Sequence, residues 1–228
     1  MSNADRALVE WAASALEGAS AQEVVRWAVD TFGQRLAVAA SMQDAVLPHL
    51  VSQQLPGVHV LFLETGYHFP ETLATRDRVR RQLPVTVVDV LPRQTVAEQD
   101  ASYGERLHDT DPDLCCFLRK VDPLARALDG YDAWVTGVRR DESPTRAGTP
   151  VVVWDEVHDL VKVNPLVDWT LEDVHAYEEG HDLPVNPLTR DGFPSIGCAP
   201  CTRRVAPGED PRSGRWAGTG KTECGIHA

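Results

Sequence analysis

Five cysteines occur as two pairs and a single residue: Cys115-Cys116, Cys198-Ala199-Pro200-Cys201 and Cys224. The odd number, together with a polar start at Met1–Arg6 in which no secretory leader is read, argues against a disulfide scaffold. In a reducing compartment this grouping reads as a four-thiolate metal site plus one free thiol. Cys-x-x-Cys is a chelate that serves both zinc and iron–sulfur clusters. Adjacent side chains diverge in a helix or a strand, so the tandem pair suits a cube of four irons better than one zinc ion. Zinc stays open as the alternative, and behind it a vicinal disulfide or four unrelated buried thiols. Arg119 and Lys120 follow one turn after the pair, where they would stabilise an anionic metal–thiolate centre or reach past it to an anionic ligand.

Cys224 is flanked by Lys221 and His227, which favour the thiolate, and follows a glycine-rich stretch, Gly214 to Gly220, that would let it swing. A plain reading is an incidental cysteine near a chain end. A mobile thiolate approaching an anion needs cations at its destination, and Lys120, Arg212 and Arg215 are the candidates. The charge pattern agrees. The formal net charge is −12, yet the segment from Cys201 onward carries five basic residues against three acidic ones and is +2, leaving −14 on the rest. Such a tail meets an anion or docks on its own acidic body. So acidic a chain is a poor general nucleic-acid binder, and no apolar run approaches the ~20 residues that span a bilayer. A soluble, cytoplasmic protein without nucleic-acid or membrane partners is expected.

The elements that must position these residues follow from periodicity. Leu8, Val9, Ala12 and Leu16 mark one helix; Val24, Val25, Ala28, Val29 and Phe32 mark a second behind a Ser20–Glu23 capping box. Short apolar runs at 36–40, 58–63, 85–90 and 133–137 predict strands. Helices are expected between them, at 44–53, at 70–83 with Pro70 in the first turn, and from near Cys115. Strands alternating with helices mean βαβ units and a mainly parallel sheet. Residues 151–153 and 160–163 are expected as edge strands, and 170–179 as a helix capped by Thr170 with Leu171, Val174 and Tyr177 inward. Beyond Leu183 the chain is rich in Pro, Gly and Arg and predicts an irregular, partly mobile tail. At 228 residues and 43% hydrophobic content, the chain reads as one α/β domain, divided for function into residues 1–197 and a tail of residues 198–228.

Ligands of an open parallel sheet bind beyond the carboxyl ends of its strands. Three loops qualify. In Ala39–Asp44, Ser41 and Asp44 fit a capping box, and the same helix start offers N–H groups to a phosphate. Leu63–Pro70 is the second. The third, Gly137–Arg146, carries Arg139, Arg140 and Arg146, suited to planar anion recognition, although a solvated salt-bridge network is the commoner use of such a cluster.

Taken together, Cys115-Cys116-x-x-Arg119-Lys120, Arg139-Arg140-Asp141-x-Ser143-x-Thr145-Arg146, Pro194-Ser195-Ile196-Gly197-Cys198-x-x-Cys201-Thr202 and Glu223-Cys224-Gly225-Ile226-His227 resemble the assimilatory adenylyl-sulfate (APS) and phosphoadenylyl-sulfate (PAPS) reductases, from about Leu36 to His227. The resemblance implies an adenine-nucleotide α-hydrolase-like fold related to the ATP pyrophosphatases. The two cysteine pairs mark the branch that holds a [4Fe-4S] cluster and typically reduces APS. It implies that Cys115, Cys116, Cys198 and Cys201 ligate the cluster and that Cys224 is the nucleophile. Lys120, Arg212 and Arg215 would contact the phosphosulfate, and Ser41, Leu63, Gly137 and Arg146 would line the nucleotide pocket. The implied partners are adenylyl sulfate, thioredoxin or a glutaredoxin-like dithiol donor, and further copies of the chain in a homo-oligomer. The same chemistry on PAPS is the nearest alternative, and a zinc-ribbon binding module a more distant one. A tRNA-thiolating pyrophosphatase would need a glycine loop and a basic face, and both are missing. The chain departs from the family in reading Leu63-Glu64-Thr65 for the usual Leu-Asp-Thr, and in a loop, Ala40-Ser41-Met42-Gln43-Asp44, without the glycines of the wider pyrophosphatase group.

Overall fold

The structure is a computed structural model that describes residues 3–226. The first two residues of the polar start, and His227, expected beside Cys224, lie outside the described residues. Six strands, β1 (Leu36–Ala39), β2 (His59–Leu63), β3 (Thr86–Val90), β4 (Ala133–Val135), β5 (Val152–Asp155) and β6 (Leu160–Val163), form one sheet in the order β3-β2-β1-β4-β6-β5. All pairings are parallel except β5 with β6. The expectation of two edge strands is half corrected: β5 is the antiparallel edge, whereas β6 lies inside, buried along its whole length beside β4. Leu-Val-Lys-Val is apolar enough to sit between neighbours, which is what decides it.

The chain winds one way from β1 to β3 and the other way from β4 onward, so the sheet has its switch point between β1 and β4, where a crevice opens at the carboxyl ends. Strand residues alternate between two layers. Leu36, Val38, Val60, Phe62, Ala133 and Val135 face one core, with α1 (Asn3–Ala15), α2 (Ala21–Phe32), α3 (Val46–Ser52) and, across Val79, α4 (Pro70–Gln82). Ala37, Leu61 and Trp134 face the other.

Four helices, α2 and three later in the chain, start at a side-chain cap. In α2 the Ser20 hydroxyl accepts the Glu23 N–H at 3.3 Å while Glu23 accepts the Ser20 N–H at 2.8 Å; α4 carries Pro70 in its first turn, as expected. A segment without a clear apolar stripe, α5 (Val96–Tyr103), forms behind a Thr95–Glu98 capping box that periodicity alone did not reveal. The short α6 (Leu107–Thr110) follows. The cysteine-pair helix starts earlier than expected: α7 (Pro112–Cys116) is capped by the Asp111 side chain, which accepts the Leu114 N–H. It continues as a π-helical turn, Phe117–Val121, into α8 (Asp122–Leu128), whose Leu124 and Leu128 cover the second core. The last helix, α9 (Leu171–Gly180), has the expected Thr170 cap. It buries Val174, with Leu171 and Tyr177 only half-buried. Among the described residues no helix is long and apolar enough to cross a membrane.

Candidate active site at the switch point of the sheet

A cavity of about 220 Å³ opens at the carboxyl ends of β1, β2 and β4. Ser41, Leu63, Gly137, Arg146, Lys120, Arg212, Arg215 and Cys224 all line it. Three of the loops and the far tail therefore converge on one space, as the switch-point argument requires.

The β1 loop is built differently from the expected capping box. Asp44 Oδ1 accepts the Val46 N–H at 3.0 Å, and α3 starts only at Val46 with Ala45 as its cap; Ser41 does not take part in the cap. Buried Met42 takes a positive φ of 59° in place of the missing glycine. Gln43 has a role that no sequence signal announced. Its Oε1 accepts the Ile196 N–H at 2.9 Å and its Nε2 donates to Pro194 O at 3.3 Å, so the amide pins the segment leading to Cys198.

The β2 loop braces cysteines as well as lining the cavity. Thr65 Oγ1 lies 3.4 Å from Cys198 Sγ, and Tyr67 O accepts the Ala199 N–H at 2.7 Å. Glu64, the longer carboxylate that departs from the family pattern, accepts the Gly66 N–H at 2.9 Å and sits 3.5 Å from Arg76.

The arginine loop divides. Arg140 pairs with Glu17 and Asp168 in the half-exposed network expected of such a cluster. Arg139 and Arg146 line the cavity. Arg146 donates to both Glu223 oxygens, Nε to Oε1 at 2.9 Å and Nη2 to Oε2 at 2.8 Å, and also bonds Glu142. Arg212 Nη2 donates to the same Glu223 Oε2 at 3.0 Å. Burial lowers the Arg212 pKa, and the neighbouring Arg146 guanidinium adds to it. The tail's basic residues thus meet the tail's own acid and the cavity together.

The tail is irregular but tied down. Thr202 and Arg215 form an antiparallel bridge, Arg203 N donates to Gly214 O at 2.9 Å, and Trp216 N donates to Cys201 O at 2.9 Å with its indole buried. Ile226 packs on the second core. Lys221, expected to favour the Cys224 thiolate, forms an ion pair with Asp113, an exposed carboxylate on the cysteine helix. Cys224 is half-buried in the cavity wall with Lys120. For Lys120, burial works against the charge, but the thiols of Cys198, Cys224 and Cys116 outweigh it and raise the pKa above the ordinary lysine value.

Behind Lys120 and Trp216 lies a second, smaller cavity walled by Cys115, Cys116, Cys198 and Cys201 with Tyr67, His108 and Arg119. Burial, reinforced by the other three thiols, pushes the Cys115 thiol up to about 12. Burial and Cys198 push Cys201 up to about 11. Four thiolates here therefore need compensating positive charge. Two wall residues hold buried polar atoms without a partner, His108 Nδ1 and Arg119 Nη2. Among the described residues no group of three or more His, Cys, Asp or Glu is spaced to hold a single metal ion. An all-sulfur donor set beside an orphaned guanidinium N–H fits an anionic, sulfur-rich multinuclear centre. The π-turn that follows Cys116 reshapes the helix between the cysteine pair and Lys120.

Comparison with known proteins agrees with this geometry. The phosphoadenosine phosphosulfate reductase domain matches residues 35–204. An adenosine 5′-phosphosulfate reductase of Streptomyces coelicolor is 60% identical over 222 residues, covering 97% of this chain and 94% of that protein. The corresponding protein of Mycolicibacterium smegmatis is 55% identical over 222 residues, with the same two coverages. Among solved structures, the phosphoadenylyl-sulfate (PAPS) reductase of Candida auris, a phosphate complex, superposes with a TM-score of 0.72 at 30% identity over 86% of this chain and 96% of that one. A domain match across most of the chain, full-length relatives and the shared fold lead to one conclusion: the chain belongs to the phosphoadenosine phosphosulfate reductase domain family.

Proposed function

We propose that this chain reduces adenylyl sulfate to sulfite and AMP. The body, residues 1–197, supplies the nucleotide pocket, and the tail, residues 198–228, supplies the thiol and two arginines. The observation that carries the reading is the convergence of Cys224, Lys120, Arg212 and Arg215 on one cavity at the switch point. The names of the relatives that are 60% and 55% identical favour adenylyl sulfate over its 3′-phosphorylated form.

The Cys224 thiolate attacks the sulfonate sulfur. An S–S bond forms, the bond from that sulfur to the bridging phosphate oxygen breaks, and AMP leaves with the electron pair. Lys120, Arg212 and Arg215 offset the repulsion between two anions and stabilise charge on the leaving phosphate; each is worth on the order of 10²-fold in rate. A dithiol of the thioredoxin class then attacks Cys224 Sγ and releases sulfite. Its second thiol resolves the mixed disulfide, so the donor's two electrons return Cys224 to the thiol. Cys115, Cys116, Cys198 and Cys201 would hold a [4Fe-4S] cluster, which supplies local electrostatics beside Lys120. Cysteines held as thiolate ligands and one thiol, with none paired as a disulfide, suit a reducing, cytoplasmic setting.

Purified holoprotein incubated with adenylyl sulfate and no dithiol is expected to gain one sulfonate on the peptide carrying Cys224, and to hold iron with absorbance near roughly 400 nm, as sulfur-ligated clusters do. Normal turnover by Cys224→Ser, or a colourless zinc protein, would overturn the reading. Rates on the two nucleotides decide between them.

A further inference from the structure

Gly197 stands between the segment pinned by Gln43 and the ligand-type residue Cys198. It is not among the glycines with positive φ, so its backbone is open to any residue and only the missing side chain matters. A Cβ at Gly197 would land on the guanidinium of Arg215, against Nη2, Cζ and Nε together. That guanidinium is also packed on the Trp216 ring, 4.5 Å from Cζ to the centroid, and its Nη1 donates to Ser195 Oγ at 3.3 Å. Its Nε is buried without a partner. The floor is stiff: Gly197 N donates to Thr202 Oγ1 at 3.2 Å, Thr202 Oγ1 donates to Cys198 O at 2.9 Å, and Thr202 bridges to Arg215.

We propose that Gly197 is a positioning residue, whose absent side chain forms the slot that aims Arg215 into the cavity. The inference rests on the reading of Arg215 as a contact to the anionic substrate. A methyl group at this position meets the far end of a long side chain, which can move. The fold therefore tolerates the change, and the guanidinium leaves its place. A bulky residue elsewhere in the wall would narrow the cavity; here the loss falls on one cation.

The test is a double-mutant cycle on the full-length, iron-loaded protein: wild type, Gly197→Ala, Arg215→Ala and the pair. The readouts are the single-turnover rate of Cys224 sulfonation, KM and kcat separately, iron per chain and thermal midpoint. Gly197→Ala is expected to slow sulfonation about tenfold or more, below the roughly 10²–10³-fold of a lost donor, with iron unchanged. In the Arg215→Ala background the same substitution is expected to change the rate less than about twofold, since groups acting through one another do not add. Arg215→Lys, with its slimmer head, is expected to blunt the Gly197→Ala penalty. The inference is overturned by a wild-type rate in Gly197→Ala, by the same factor in both backgrounds, or by iron lost in step with activity. If Gly197→Ala alone does not fold, the double variant lacks the clash and is expected to fold and load iron; its failure overturns the inference too. Full activity in Arg215→Ala sinks the functional reading itself, whereas a slow Arg215→Ala with additive Gly197→Ala sinks only the slot.

Discussion

Glu223 precedes Cys224, the proposed nucleophile, by one residue and ties this part of the tail to the cavity wall through charge. Its carboxylate takes two hydrogen bonds from Arg146 and one from Arg212, at 2.8–3.0 Å. The carboxylate side chain is 28% exposed, against 13% and 15% for the two arginines. Burial opposes its charge, but Arg146, Arg212 and Arg215 outweigh it and hold the pKa below the ordinary glutamate value. A depressed carboxylate contributes fully above its free pKa of about 4.3 and loses that contribution as pH falls through the lowered value. The clamp is therefore complete at neutral pH and released in acid. Glu223→Gln keeps the shape, removes the charge and turns an N–H₂ toward a guanidinium. Hydrogen bonds to charged groups contribute about 1.5–3 kcal/mol each, and the partial exposure reduces the sum. A net loss of about 2 kcal/mol is about 30-fold in the docking equilibrium. Carbamidomethylation of Cys224, followed by peptide mass, reads that equilibrium when opening is fast. The variant is expected to react about 30-fold faster than wild type at pH 7, and the ratio to shrink on acidification. A ratio within twofold of one at pH 7, or one that ignores pH, would refute the clamp.

Two further perturbations probe the sulfur cavity and the second core. Arg119 is buried, donating to Gln99 Oε1 at 2.7 Å and Thr65 O at 3.2 Å beside Cys115. Arg119→Met leaves both acceptors unsatisfied at about 2–4 kcal/mol and should speed iron loss to a chelator while AMP binding persists; unchanged loss kinetics would count against the sulfur cavity as described. Trp134 is fully buried with Nε1 3.0 Å from Asp155 Oδ2. Trp134→Phe is expected to cost about 2–4 kcal/mol, read from the urea midpoint, with sulfonation per folded molecule preserved; a loss of activity without a stability change would refute a purely structural role.

Residues whose meaning lies in local periodicity were legible in the sequence. The apolar runs Leu36–Ala39 and Leu160–Val163 announced strands, although the inner place of the second was not legible, and Ser20–Glu23 and Thr170 announced helix starts, because both signals are set within a few residues. The crevice residues were legible by type: cysteines and arginines are costly to place without a purpose. Gln43, Gly197 and the partner of Lys221 were not legible, since each acts through a residue at least 18 positions away. A glutamine that pins a distant backbone has the same sequence appearance as one on the surface. The capping expectation for Ser41 failed for a related reason: Asp44 turned to its own neighbour two residues on, and the loop's geometry was decided by Met42 and by the segment it meets.

Lys120 and Trp216 each border both hollows, the large one that faces solvent and the small one walled by sulfur. A partition only one side chain thick leaves no room for independent tailoring. A change to Lys120 or Trp216 that widens the outer chamber for a bulkier sulfonyl donor also disturbs the inner lining, and trimming either from the inner side alters the outer wall. Directed evolution of this scaffold toward new donors is therefore expected to advance by swapping residues on the nucleotide side of the crevice, and variants that touch the partition to weaken the hold of the four cysteines on the cluster proposed for them.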